Sequence, residues 1–355
     1  MNIRERMLAV LNGEKPDRVP FFGFSELFPR GNFERYLRNN GMGLVMHATP
    51  VAAETPNVSS STRKTDKGEE IISHTPLGDI SIENILGTGR QASPEMWKIR
   101  AKFFLKEFED YDAIIAMVKD TIHHIDMEEF KLKDTELGDD GLLHILGALP
   151  SYTESEYLMG LERWGLEQYD HPEKFHELLD ALDKRSDNLI DKLSSIYYES
   201  ILVFGDVSDS ISPENYRKYE MPFYEKAMKK LRPSGKKCGI HTHAAFLKRH
   251  KEWLGELKLD FIESYTPPPY SDIPIDELRE ALGGEVTILI NFPETIFYKG
   301  YDATKKYTKE LLNRDSSHRK MLGFSEMGMM GAESRIRDIF EDGFRAVVDA
   351  IEEIS

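Results

Sequence analysis

The sequence predicts an α/β protein closed as a (β/α)8 barrel. Strand, turn and helix alternate from Leu142 to the end of the chain, the pattern of a parallel sheet with right-handed crossovers. The strand candidates end in residue types that do chemistry, as they do at the C-terminal mouth of a barrel. No Gly-x-Gly-x-x-Gly and no phosphate-binding P-loop follows a strand. An open doubly wound sheet alternates in the same way, but the nucleotide-binding signatures that would favour it are missing.

The elements follow in order. Arg4 to Asn12 reads as a short amphipathic helix, with Met7, Leu8 and Leu11 on one side, stopped by the prolines at 16 and 20. Val19 to Phe24 is strand-like. Gly68 to Leu86 alternates about Thr75-Pro-Leu-Gly78, a hairpin pattern. Helices are expected over Pro94–Phe108 and Tyr111–Ile125. Leu142–Leu146 is a short buried strand, followed by helical segments Glu154–Tyr169 and Pro172–Tyr198. Ser200–Asp206 precedes Ser212-Pro213, a helix start with a capping serine and proline in the first turn. Strands Lys236–His243, Leu259–Tyr265, Val286–Phe292 and Lys320–Ser325 follow. The helices among and after them are Ala245–Glu256, Ile275–Ala281 and Glu333–Ile354. Residues 1–135 form an N-terminal segment with the first barrel elements, helices and a hairpin, and 136–355 hold the rest of one structural domain.

Composition narrows the functional classes. With 40% hydrophobic and 30% charged residues, the chain has ample core for a soluble globular protein. No apolar run is long enough to cross a bilayer, and the N-terminus has no signal-peptide pattern. A net charge of −16 argues against nucleic acid or an anionic membrane as the main partner. The single cysteine, Cys238, rules out an internal disulfide and any Cys-x-x-Cys site, and the expected compartment is a reducing cytoplasm.

The strand ends read Asp206, His241 with His243, Glu263, Asn291 and Glu326, without a lysine or arginine. Residues i and i+2 of a strand face one side, so His241 and His243 can bind one cation as neutral nitrogen donors. Such a pair also fits one imidazole capping a carbonyl and the other meeting solvent. Glu326 is the candidate third ligand. Asp206 and Glu263 are candidate catalytic carboxylates, and either one could replace Glu326 on the metal or orient an imidazole from behind. Cys238, three residues before His241, points the opposite way and reads as a core thiol.

The segment RERMLAVLNGEKPDRVPF from Arg4 to Phe21 resembles the opening of the uroporphyrinogen decarboxylase superfamily, closest in style to its corrinoid (cobalamin) methyltransferase branch. Leu202–Asp206 followed by SPENYRKYEMP from Ser212 to Pro222 resembles the superfamily's strand and Ser-Pro helix. Cys238–His243, Phe261–Ser264 and Ile288–Pro293 fall where its later strands are expected. The resemblance implies a distorted (β/α)8 TIM barrel with an N-terminal extension, and a dimer by family habit. The decarboxylases carry Met-Arg-Gln-Ala-Gly-Arg near the start; the corresponding stretch here keeps only Arg30 and adds Glu26, which speaks against a polycarboxylate porphyrinogen. The methyltransferase branch writes its zinc site His-x-Cys with a second Cys near the last strand; here His243 and Glu326 stand at the two Cys positions. A zinc ion without thiolates is a stronger Lewis acid, suited to a leaving oxygen or nitrogen. The resemblance therefore implies a cytoplasmic zinc enzyme that moves a methyl group from a small O- or N-methyl donor to the cobalt of a separate corrinoid protein. The alternatives are a metal-independent decarboxylase, with Asp206 and His243 handling a proton, and a non-catalytic barrel subunit.

Overall fold

Eight parallel strands close into one barrel in a computed structural model that describes residues 1–27, 30–86, 98–325 and 334–354. In chain order the strands of the molecule begin with β1 (Phe21–Phe24) and β2 (Met42–His47) of the barrel. Between β2 and the third barrel strand lies an insertion with β3 (Val51–Glu54), β4 (Ser59–Lys64), β5 (Gly68–Thr75), β6 (Gly78–Leu86), β7 (Lys98–Lys102) and β8 (Ile122–Ile125). The barrel then continues through β9 (Gly141–Leu146), β10 (Ser200–Val207), β11 (Lys236–Thr242), β12 (Phe261–Tyr265), β13 (Thr287–Asn291) and β14 (Lys320–Phe324). Its order around the ring is β1-β14-β13-β12-β11-β10-β9-β2. The barrel expected from the alternation is thus present. Among the described residues no helix is long and apolar enough to cross a membrane.

Strand alternation sorts the side chains into two cores. The outward set, including Leu143, Leu202, Cys238, Ile240, Ile262, Ile288 and Leu322, is buried beneath the surrounding helices. The inward set contains Phe22, Val45, Leu142, Ile201, Phe261, Leu289 and Met321. Helix α1 (Ile3–Asn12) adds Met7, Val10 and Leu11 to that inner cluster. It starts with a capping box between Asn2 and Glu5 and ends on left-handed Gly13. Thr287 Oγ1 donates to the Val10 carbonyl at 3.1 Å, tying this plug to β13. The apolar plug fills the N-terminal half of the barrel interior, so inward positions near the C-terminal ends are left for a cavity.

The elements depart locally from expectation. β2 was not foreseen, because Met42-Gly-Leu-Val is buried without a period-two pattern. Lys98–Lys102 is a strand rather than part of a helix, paired antiparallel to β6. The helix after Asp110 ends at Asp120, and Ile122–Ile125 is a strand paired with β3. His123 and His124 therefore point to opposite faces, with His123 buried against Asn188 at 3.2 Å.

β2 and β9 approach so closely at Gly141 that an added Cβ would overlap the Leu44 backbone. Gly141→Ala is expected to cost about 1–3 kcal/mol of stability, as overpacking does. Urea unfolding of the variant against the parent measures it, and an unchanged midpoint would show that the β2–β9 seam is loosely joined.

Candidate active site

The last inward positions of the strands meet at one mouth. Phe24 ends β1, His47 ends β2, and His144 lies on β9 opposite His47. Asp206, His241 and Glu263 are register partners across β10, β11 and β12, so they stand side by side. Asn291 and Ser325 continue the ring, with Ser325 Oγ donating to Asn291 Oδ1 at 3.1 Å. Together these residues line a cavity of about 910 Å³.

Two bulges shape the mouth, one aiming Asp206 and the other adding Ser264 beside Glu263. In β10 the pairing with β11 slips between Phe204 and Asp206, at Gly205, whose φ of +29 suits glycine. Without that slip, simple alternation from inward Val203 would turn Asp206 outward. In β12 the pairing with β13 slips between Ile262 and Tyr265, and Ser264 adopts a left-handed φ of 61. Adjacent Glu263 and Ser264 consequently both face the cavity.

The centre of the site is an imidazole pair. His241 Nε2 lies 2.8 Å from His243 Nε2. The far nitrogen of each ring meets a carboxylate: His241 Nδ1 with Glu263 Oε2, and His243 Nδ1 with Asp206 Oδ2 at 2.7 Å. Carboxylate oxygens accept, so each Nδ1 carries the proton and each Nε2 presents a lone pair. Two lone pairs at this separation repel unless a cation stands between them, either a proton or a metal. Asp206 Oδ1 is buried without a partner. Asp206, His241 and His243 each offer a ligand atom within 4.8 Å of the others. Imidazoles held from behind by carboxylates are the usual arrangement of metal-bound histidine. The residues present therefore fit a divalent cation, with Asp206 in reach as the oxygen donor and Glu263 as the carboxylate behind His241.

The electrostatics agree. Burial works against charge on His241, but the Glu263 carboxylate, its hydrogen bond and Asp206 outweigh burial and raise the pKa. Burial also pushes Glu263 toward the neutral acid, yet His241 holds its pKa below the ordinary value. Glu263 is 3% exposed and His243 67%, so the imidazole pair lies between a dry wall and the open mouth. Tyr270 donates its hydroxyl to the His243 carbonyl at 2.8 Å, fixing the segment beyond β11.

Asp206, His241, His243, Glu263 and Asn291 are brought together at the mouth. Glu326 lies outside the described residues. Cys238 is fully buried in the outer core, its thiol pushed up to about 12 by burial. Arg30 pairs with Glu34 at 3.0 Å and is absent from the cavity wall. Two wall residues were not foreseen. His47 pairs with Glu26, stacks on Phe24 at 5.4 Å, and lies 4.9 Å from the ring of His144. His144 is 3% exposed, with Nε2 buried and unpartnered, and burial lowers its pKa to about 4. The signal that could have found it was a histidine at an inward position of an otherwise apolar strand. No lysine or arginine is among the described residues of the wall.

The family profile for uroporphyrinogen decarboxylase (URO-D) matches residues 144–325. None of the curated proteins compared with the chain matches it. Among solved structures, a B12-independent methionine synthase from Shewanella sp. W3-18-1 in complex with selenomethionine is similar over 90% of this chain and 86% of its own. The identity is 10% and the TM-score 0.40. A xylanase 10C variant from Cellvibrio japonicus in complex with xylopentaose is similar over 95% of this chain and 68% of its own, at 12% identity and a TM-score of 0.42.

Two outcomes are expected. Zinc supplied to the purified protein should be retained near one per chain after dialysis, and lost in both His241→Ala and His243→Ala; elemental analysis reads this directly. The second concerns pH. Unfolded His144 takes a proton near its ordinary value of 6.5, while the native state refuses it down to about 4. The unfolded chain binds more protons in that window, so stability present above it is lost as pH falls, by about 3 kcal/mol in full. Urea unfolding at neutral and mildly acid pH should show the loss, and His144→Phe should remove this share of it.

Proposed function

The chain belongs to the uroporphyrinogen decarboxylase family, and on that premise we propose that it is a zinc-dependent methyltransferase rather than a porphyrinogen decarboxylase. It takes a methyl group from a small O- or N-methyl donor and passes it to the cobalt of a separate corrinoid protein. The observation that carries this reading is the His241–His243 pair, with Nε2 atoms converging and Nδ1 atoms held by Glu263 and Asp206.

His241 and His243 would hold the zinc ion, with Asp206 in reach and Glu326 the further candidate. When bound, zinc supplies Lewis acidity to the heteroatom that the methyl group leaves. The remaining work belongs to the side chains. Glu263 fixes the His241 tautomer so that Nε2 stays a donor to the ion. Asp206 does the same for His243, and its free oxygen Oδ1 can take a ligand position or accept a proton. Phe24, Leu146 and Tyr298 give the donor an apolar wall. Asn291 and Ser325 offer polar atoms for orienting it.

The wall also argues against an anionic substrate. Glu26, Asp206, Glu263 and Glu294 line it, and no lysine or arginine stands among its described residues. A porphyrinogen with several carboxylates would enter against that charge. Where the arginine-rich stretch of the decarboxylases would stand, this chain places Glu26, which pairs with His47 inside the cavity.

The test uses zinc-loaded protein, a corrinoid protein reduced to Co(I), and a panel of O- and N-methyl compounds, with cobalt methylation followed by visible absorbance. Turnover with at least one donor is expected. Loss of a group that acts on a reacting atom costs about 10²–10⁴-fold, so Asp206→Asn should fall by at least the lower figure. Uroporphyrinogen should not be consumed. Steady decarboxylation of uroporphyrinogen by metal-free protein would overturn the reading in favour of a decarboxylase using Asp206 and His243 for proton transfer.

A further inference from the structure

We propose that Glu220 and Tyr224 are positioning residues for Asp206, acting through the bulge at Gly205. The inference rests on the metal-site reading and adds residues remote from the cavity wall. Asp206 reaches His243 only because β10 slips at Gly205. A glycine with positive φ is free to make that bulge and equally free to lose it, so something must hold the backbone there.

The helix after β10 contains a wide π turn, Tyr216–Glu220. Such turns carry one residue more than an α turn and redirect the side chains at their two ends. Tyr216 opens the turn. Its hydroxyl donates to the Asp206 carbonyl at 2.8 Å and accepts from the Ser208 amide at 2.7 Å. Glu220 closes the turn. It accepts from the Tyr224 hydroxyl at 2.8 Å and from Thr153 Oγ1 at 2.5 Å. The Tyr224 hydroxyl in turn lies against Gly205, where any Cβ would overlap it. The turn thus holds the backbone after the bulge through Tyr216, and through Glu220 it fixes the Tyr224 hydroxyl against Gly205 itself.

Glu220, Tyr216 and Tyr224 are all 0% exposed. Burying a carboxylate is costly unless its oxygens are satisfied. Burial raises Glu220 to about 7, opposed by its two hydroxyl donors and reinforced by the charge of Asp206. A leucine or methionine would fill this space without that cost. The carboxylate gives instead a directional hold on Tyr224.

The experiment uses Tyr224→Phe, Glu220→Ala and Glu220→Gln, with zinc alone as the titrant. Partners behind a metal ligand are worth roughly 10–100-fold in affinity. Tyr224→Phe and Glu220→Ala should weaken zinc by at least the lower figure, and Glu220→Gln should retain most of the affinity. In an Asp206→Asn background Tyr224→Phe should have no further effect, which a merely structural role would not produce. Zinc affinity unchanged in Tyr224→Phe, or an equal loss in the Asp206→Asn background, overturns the proposal. A metal-free crystal structure of Tyr224→Phe decides it without zinc: Asp206 withdrawn from His243 supports it, and the contact retained overturns it. Wild-type protein that takes up no zinc sinks the functional reading, and the crystal structure then judges the positioning alone.

Discussion

Two imidazole nitrogens that face each other at 2.8 Å, each with its other nitrogen tied to a carboxylate, are the constraint on which the site depends. With Nδ1 of both rings committed as donors, the Nε2 lone pairs oppose one another, and only a positive charge between them makes the arrangement stable. Glu263 cannot relieve the conflict by taking up the proton cheaply, because His241 keeps it ionised inside a nearly closed wall. On the proposed reading, the chemistry of the cavity follows from the cation held in this gap.

The barrel delivers that pair by ordinary strand geometry corrected in two places. β11 runs regularly through His241, so its inward side chains need no special device. Its neighbours do: β10 needs Gly205 to bring Asp206 round, and β12 needs Ser264 in a left-handed conformation to keep two successive side chains on the cavity. The left-handed Ser264 carries strain of order 1–3 kcal/mol, which persists only where surrounding structure enforces it, and the freedom of Gly205 likewise needs a hold. The Tyr216–Glu220 turn is such a brace for β10. Below, the α1 plug occupies the remaining interior with Met7, Val10 and Leu11, so the polar residues are confined to one end.

Much of this was legible in the chain itself. Seven barrel strands showed as apolar runs bounded by turns, and the polar residues ending them named Asp206, His241, His243, Glu263 and Asn291 as neighbours. β2 stayed hidden because Met42-Gly-Leu-Val carries neither alternation nor a clear boundary, and His47 was hidden with it. His144 sat inside an apolar strand and gave no strand-end signal. The roles of the carboxylates were not legible either. Which of them backs which imidazole depends on register, and register depends on bulges whose position no periodicity reveals. The strand-end pattern and the family resemblance both pointed to Glu326 as the third ligand, with Asp206 or Glu263 as alternatives; Glu326 lies outside the described residues, and among those described Asp206 is within reach of both imidazoles.

The most direct test of the central claim is X-ray absorption at the zinc edge of the loaded protein. The account predicts two imidazole nitrogens at roughly 2.0–2.1 Å with oxygen completing the shell and no sulfur. Loss of one imidazole signal in His241→Ala and of the other in His243→Ala would tie those nitrogens to the pair. A shell without imidazole, or one containing sulfur from the buried Cys238, would contradict it.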